Sequence, residues 1–251
     1  MCGRFAQVFE DKDVSRIEEI LRAAIKVSDQ DPLIETFNEC FNIAPTQNAL
    51  IARSSDSQSN STHAQLDLAR FGLIPSWSKD LNQQATMNNA RRETIYEKPS
   101  YRGLIRSRRC LIPMNGFFEW QSIPGERTKR PWYISRADHD VLMLGGVWDS
   151  WIDREHGDTQ IDSFSIVTRE SNEFMSPIHH RMPVVIEPAM AGDWIDPNTA
   201  QDQIHQMMLD PTDGTLRSHR VSKRVNSVVH DDPALLEPII KEDGEQGMLF
   251  G

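Results

Sequence analysis

CLIPM (110–114), GFFEWQ (116–121), PWYIS (131–135), VLMLGGVWDSWI (141–152) and SFSIVT (163–168) follow one another with only turn-rich sequence between them. Aromatic and β-branched residues dominate these runs, and turn residues such as PGE and EHGD separate them, so they read as consecutive strands. Upstream, ALIARS (49–54) and AQLDLARFG (64–72) flank the Ser/Asn/Gln-rich stretch SSDSQSNST (54–62). That pattern predicts two strands joined by a mobile loop. Residues 11–27, DKDVSRIEEILRAAIKV, place Val14, Ile17, Ile20, Leu21, Ala24 and Ile25 on one helical face, with Asp13 as the candidate N-cap. Two further helical patches fall at 188–196 and 199–209, and VSKRVNSVV (221–229) reads as a last strand. There is no βαβ rhythm, internal repeat or long linker. The expectation is one α+β domain with a mostly antiparallel core and a few flanking helices.

The chain has 251 residues, enough for a single well-buried core. Its 27 Lys+Arg against 37 Asp+Glu give a net charge of −10, which argues against broad nonspecific binding to nucleic acid. No apolar run reaches the length of a membrane span, and the N-terminus lacks a secretory layout, so a cytoplasmic protein is expected. Three cysteines, at 2, 40 and 110, are too few for a disulfide framework. None sits at metal-ligand spacing, so neither a metal nor another cofactor is expected. Cys40 and Cys110 lie among apolar residues and read as core.

Cys2 differs by position. Initiator Met is normally trimmed before a small residue, which would leave Cys2 with a free α-amine beside its thiol. The amine has an ordinary pKa of about 7.7–8.0, and the thiol one of about 8.5. Such a 1,2-aminothiol can act as an N-terminal nucleophile–base pair. It can also condense with an aldehyde, the amine forming an imine and the thiol closing a five-membered thiazolidine.

Several separated stretches, in order, resemble the SOS response-associated peptidase (SRAP) family: Met1-Cys2-Gly3-Arg4-Phe5, Phe41-Asn42-Ile43-Ala44-Pro45-Thr46-Gln47, Asn89-Ala90-Arg91-Arg92-Glu93-Thr94, Arg109–Pro113 running into Gly116-Phe117-Phe118-Glu119-Trp120, and Ile178-His179-His180-Arg181-Met182-Pro183. Val221–Asn226 is a looser match. The resemblance covers residues 2 to about 240 and implies a SRAP domain over 2–240, with a barrel-like β core and a DNA-binding groove. It implies a protein that crosslinks to abasic sites in single-stranded DNA through Cys2, acting as a monomer. By the same resemblance Cys2, Asn89, Glu119 and His179 carry the chemistry. Arg4, Arg91 and Arg181 would meet the DNA, and Trp77 would wedge against the bases beside the lesion. A carboxyl among aromatic neighbours, as at Glu119, can hold a proton for opening the sugar ring. A histidine changes charge near neutral pH and can shuttle protons. A cysteine-type (auto)peptidase built on Cys2 is the alternative.

Each of these residues also has a plain reading: Glu119 as a solvent-facing charge, His179-His180 as a polar turn, Arg91 and Arg92 as a solvated face, Trp77 as core. Residues 84–130 carry ten cations against four anions, a local +6, and 215–224 add four cations with no acid. A basic groove on an acidic body is therefore expected. The stretch 241–251 reads as a flexible tail. Its Gln246-Gly247-Met248-Leu249-Phe250 looks like the peptide with which bacterial repair proteins engage the sliding clamp, with Gln246, Leu249 and Phe250 as anchors; the alternative is an apolar end docked on its own domain.

Overall fold

A computed structural model describes residues 2–24, 26–27, 38–54, 63–79, 87–154, 157–209 and 215–239. The strands are β1 (Arg4–Gln7), β2 (Lys26–Val27), β3 (Cys40–Ile43), β4 (Asn48–Ser54), β5 (His63–Phe71), β6 (Asn89–Arg91), β7 (Arg109–Met114), β8 (Gly116–Gln121), β9 (Arg130–Arg136), β10 (Leu142–Asp153), β11 (Thr159–Glu170), β12 (Arg181–Pro183) and β13 (Leu216–Arg220). They form two sheets. An antiparallel one runs β13-β9-β8-β1-β3, and a larger one runs β12-β11-β10-β7-β4-β5-β2. In the larger sheet β11 also pairs with β5, in parallel, through Ser163↔Arg70 and Phe164↔Phe71. That contact closes β11-β10-β7-β4-β5 into a five-stranded barrel. The α+β single-domain fold with a barrel-like, mostly antiparallel core is thus what forms.

One apolar cluster lies between the barrel and the smaller sheet. Phe5 meets Phe71 edge-on at 5.2 Å, Phe71 stacks on Phe164 at 5.3 Å, and Cys2 and Cys110 are buried in the same cluster. A second cluster packs Ile17, Ile20 and Leu21 of the Asp11–Ala24 helix with Trp194 and Ile204 from the helices Ala191–Ile195 and Gln201–Met207. Gly116 and Gly145 permit close approaches. A Cβ on Gly116 would lie 2.4 Å from the Ile134 carbonyl oxygen and 2.6 Å from the Tyr133 ring; one on Gly145 would meet Trp194 at 2.8 Å.

The strands expected from residues 49 to 168 form with small shifts at their ends, and the two later helical patches shorten to residues 191–195 and 201–207, with a 3-10 turn at Pro188–Met190. Two expectations differ. The helix starts at Asp11, and the Asp13 carboxylate accepts from the Glu10 amide at 3.1 Å, so Asp13 reaches back to the cap from inside the first turn. The last strand is Leu216–Arg220, paired along β9; Lys223–Asn226 is a 3-10 turn whose Ser222 hydroxyl accepts from the Arg224 amide. Serine capping there defeats the apparent Val/Ser alternation. Residues 55–62 and the whole tail, with Gln246, Leu249 and Phe250, lie outside the described residues. Among the described residues no helix is long and apolar enough to cross a membrane.

Gly116→Ala should overpack the β8–β9 contact and cost about 2 kcal/mol. A thermal melt should show the midpoint several degrees lower; an unchanged midpoint would mean that the β9 main chain at Ile134 and the Tyr133 ring both move aside freely.

Candidate functional site

The N-terminal strand builds the site. β1 pairs with β8 in the register Arg4↔Phe118 and Phe5↔Phe117. Continuing that register by one residue sets Gly3 opposite Glu119, so Cys2 arrives at the strand carrying the buried carboxyl. Asn89, at the start of β6, donates from Nδ2 to the Cys2 carbonyl oxygen at 2.9 Å. Its own carbonyl oxygen is held at 3.3 Å by the Tyr101 hydroxyl. The Asn89 Oδ1 is buried and has no partner among the described residues, which leaves an acceptor for an incoming donor.

Cys2 is fully buried and Glu119 only 2% exposed. Burial pushes the Cys2 thiol well above its ordinary range, and the Glu119 charge pushes it further; the Arg4 amide acts the other way. Burial likewise raises the Glu119 carboxyl. Ionising either group disfavours ionising the other, so burial and mutual repulsion both bias the pair toward its proton-bearing forms.

His179 approaches from the turn-rich segment before β12. That segment is tied to the end of β8 by Gln121, whose Nε2 donates to the Pro177 carbonyl oxygen at 2.9 Å. Burial lowers the His179 pKa to about 4, with His180 and the Lys129 charge adding to the effect. The His180 ring stacks at 4.4 Å. A charge change near neutral pH, expected for a histidine, is therefore not what this one offers: desolvation keeps it neutral. Its Nδ1 lies 3.0 Å from the Arg181 amide nitrogen and 3.1 Å from the Arg181 carbonyl oxygen. Each neutral tautomer finds a main-chain partner there, as acceptor or as donor.

The expected DNA-facing residues separate into two kinds. Trp77 is 62% exposed, which excludes core packing, and Arg91 is exposed two residues beyond Asn89. Arg4 is half-buried: its guanidinium donates to Asn42 Oδ1 at 2.8 Å and to the Val225 carbonyl oxygen at 2.9 Å. Arg181, expected to meet DNA, is instead buried. Its guanidinium forms a two-pronged pair with Glu93 at 2.8 and 2.9 Å and donates to the Thr168 carbonyl oxygen at 2.8 Å.

The expected basic surface is also thinner than its count. Arg109 is 2% exposed and donates to the carbonyls of Ile105, Arg106, Trp194 and Asp196, tying together the C-terminal ends of the Leu104–Ser107 and Ala191–Ile195 helices. Arg108 pairs with Asp149, Arg130 with Glu126 and Arg224 with Asp232.

Four supporting residues had not been singled out from the sequence. Asn42, 1% exposed, donates to the carbonyls of Ser227 and His230 and so holds that loop beside β1. Gln121, Tyr101 and Glu93 hold the His179 segment, Asn89 and Arg181 respectively. Asn42 and Glu93 sit inside motif stretches, which was the available signal; Gln121 and Tyr101 carry none.

A family model described as SOS response associated peptidase (SRAP) matches residues 1–228. Two Bacillus subtilis relatives, both named abasic site processing protein, are similar along nearly all of both chains. YoqW is 32% identical over 238 residues (94% of this chain, 99% of the relative), and YoaM is 33% identical over 240 (94% and 98%). The abasic site processing protein HMCES of Pongo abelii is 31% identical over 199 residues, covering 68% of this chain and 56% of that one. A crystal structure of a protein from Bacteroides thetaiotaomicron superposes with a TM-score of 0.77 at 25% identity, over 95% of this chain and 100% of the other. With its family match spanning the site residues from Cys2 to Arg181, the chain belongs to the SOS response associated peptidase family.

Proposed function

We propose that this protein recognises abasic sites in single-stranded DNA and shields them with a covalent thiazolidine through Cys2, once Met1 has been removed. The observation that carries this reading is the 2.9 Å bond from Asn89 to the Cys2 carbonyl oxygen, which fixes the aminothiol residue beside a buried carboxyl. The names of the relatives, abasic site processing proteins, support the substrate.

The chemistry balances with the groups present. A closed abasic sugar opens when its C1–ring-oxygen bond breaks; Glu119, its pKa raised by burial, acts as the acid that gives a proton to the ring oxygen, and the C1 hydroxyl proton passes to neutral His179. The Cys2 amine then adds to the aldehyde, and one water leaves to give an imine. The thiol adds across it: the S–C bond forms, and the thiol proton ends on nitrogen. The net change is loss of one water. A thiol whose proton is held by burial suits this order, with the amine attacking first. It suits peptide cleavage in trans poorly, so we assign peptidase chemistry to removal of Met1. Arg91 and Trp77 are the proposed contacts to phosphate and base, since a ring 62% exposed can stack on any base. The tail residues Gln246, Leu249 and Phe250 are proposed as anchors for a bacterial sliding clamp.

Intact mass spectrometry after incubation with abasic single-stranded DNA should show Met1 absent and an adduct equal to protein plus DNA less one water. Cys2→Ala should form none; an undiminished adduct would end the thiazolidine reading. Because Glu119 acts in its protonated form, the rate of adduct formation should fall as pH rises through its raised pKa. Glu119→Gln should remove that limb and slow the reaction about 10²-fold; a retained limb would assign the proton elsewhere. Replacing Leu249 and Phe250 by Ala should abolish clamp binding in a pull-down and leave adduct formation intact. Clamp binding that survives the change would remove the tail assignment.

A further inference from the structure

Among the described residues, Trp77 is the one aromatic hydrophobic side chain that stands mostly in solvent. Exposed loop tips are ordinarily mobile. The loop that carries this ring is not built that way. Its base, Leu73, Ile74 and Pro75, is buried, and the Ile74 amide donates to the Ser163 hydroxyl at 2.8 Å. The Ser78 amide then donates to the Pro75 carbonyl oxygen at 2.8 Å, closing a four-residue turn with Ser76 and Trp77 at its corner.

Both sides of that corner are gripped by one strand. Asp149 Oδ2 accepts from the Ser76 amide at 2.7 Å, and Trp151 Nε1 donates to the Ser78 carbonyl oxygen at 2.8 Å. Asp149 and Trp151 stand two residues apart on β10, so their side chains share a face. The main chain is thus bound immediately before and immediately after Trp77, once at a donor and once at an acceptor. Neither anchor is a surface contact: Asp149 is 4% exposed and Trp151 6%. The carboxylate is itself fixed, because its Oδ1 accepts from the Ser150 amide at 3.0 Å and from Arg108 Nη1 at 2.7 Å. A buried carboxylate is costly unless donors surround it. Three do so here, and one of them is the turn beside Trp77.

We infer that Asp149 and Trp151 are positioning residues: they clamp the turn on either side of Trp77 and present its ring, already fixed, to a base of the bound strand. Stacking on a ring that must first be immobilised loses part of its affinity to ordering; a platform whose main chain is held beforehand does not. All of these bonds run through the main chain of the turn, and none takes up the Trp77 ring. The inference deepens the proposed function and rests on its assignment of Trp77 to a base. The geometry of the clamp stands without that assignment.

The test uses the full-length protein and single-stranded DNA carrying a tetrahydrofuran analogue of the abasic site, which has no aldehyde and so reports binding without crosslinking. Trp151→Phe keeps an aromatic ring and removes the Nε1 donor. Asp149→Asn sets an NH₂ group against one of two donors, Ser76 or Arg108. Trp77→Ala alone should weaken binding about tenfold. Each clamp variant should weaken it about fivefold more in the presence of Trp77 than in a Trp77→Ala background, where the lost charge of Asp149 still acts but the platform is gone. In the free protein, NMR relaxation should give the amides of Ser76, Trp77 and Ser78 order parameters of about 0.85 in the parent and below about 0.6 in either clamp variant. Equal losses in both backgrounds, or turn amides as mobile in the parent as in the variants, would overturn the inference. Trp151→Phe removes one hydrogen bond and no charge, so it should fold even where Asp149→Asn does not. Should Trp77→Ala bind as tightly as the parent, the assignment of Trp77 to a base fails, while the order parameters still decide whether Asp149 and Trp151 clamp the turn.

Discussion

A main-chain carbonyl held by a side-chain amide, Asn89 Nδ2 to Cys2 oxygen at 2.9 Å, is the contact around which the site is arranged. Chain ends ordinarily fray, because few contacts offset the entropy of fixing them. Here the first strand is gripped on both sides, by β8 and β3, and its Phe5 is locked against Phe71 in the core. Asn89 completes that grip from the other sheet. The cost of ordering the terminus is met by apolar burial a few residues downstream, and Cys2 inherits the rigidity.

Much of this fold can be read in the sequence, and the exceptions have identifiable causes. The runs between residues 110 and 168 are dense in aromatic and β-branched residues, and they pair as neighbours. β1 and β3 carry no such signal: each is four residues long and takes its place only through partners distant in sequence. VSKRVNSVV looks like a strand, yet Ser222 caps a turn there and Arg4 takes the Val225 carbonyl. Local alternation loses to a capping hydroxyl and a long-range guanidinium.

The site was legible as an ordered set of motifs and much less so as individual residues. Nothing local distinguishes a buried Glu119 from a solvent-facing one; the β1–β8 register decides it. Arginines show the limit most clearly. Arg109 and Arg181 count as positive surface in any tally of the sequence, but each is buried among main-chain carbonyls or against a carboxylate. Trp194 and Asp196, which take part of the Arg109 guanidinium, and Glu93, which takes Arg181, lie far away along the chain, so only the assembled fold reveals these partners. Trp77 goes the other way: it is a bulky ring that composition would place in the core, and the fold leaves it in solvent.

The chain's net charge of −10 takes on a different meaning from this arrangement. The groups assigned to proton transfer are all biased toward neutrality by burial, which raises the Cys2 thiol and the Glu119 carboxyl and lowers the His179 ring. Condensing an amine and a thiol with an aldehyde joins neutral reactants into a neutral product, so a dry site that stabilises uncharged forms suits it. Attraction for a polyanion then has to come from outside that centre. Exposed Arg91, beside Asn89, and Lys129, whose charge reaches both Glu119 and His179, stand at its edge. On the proposed function, a cation there would draw in the strand, while the excess acid elsewhere on the chain would disfavour undamaged DNA, which offers no aldehyde to hold it.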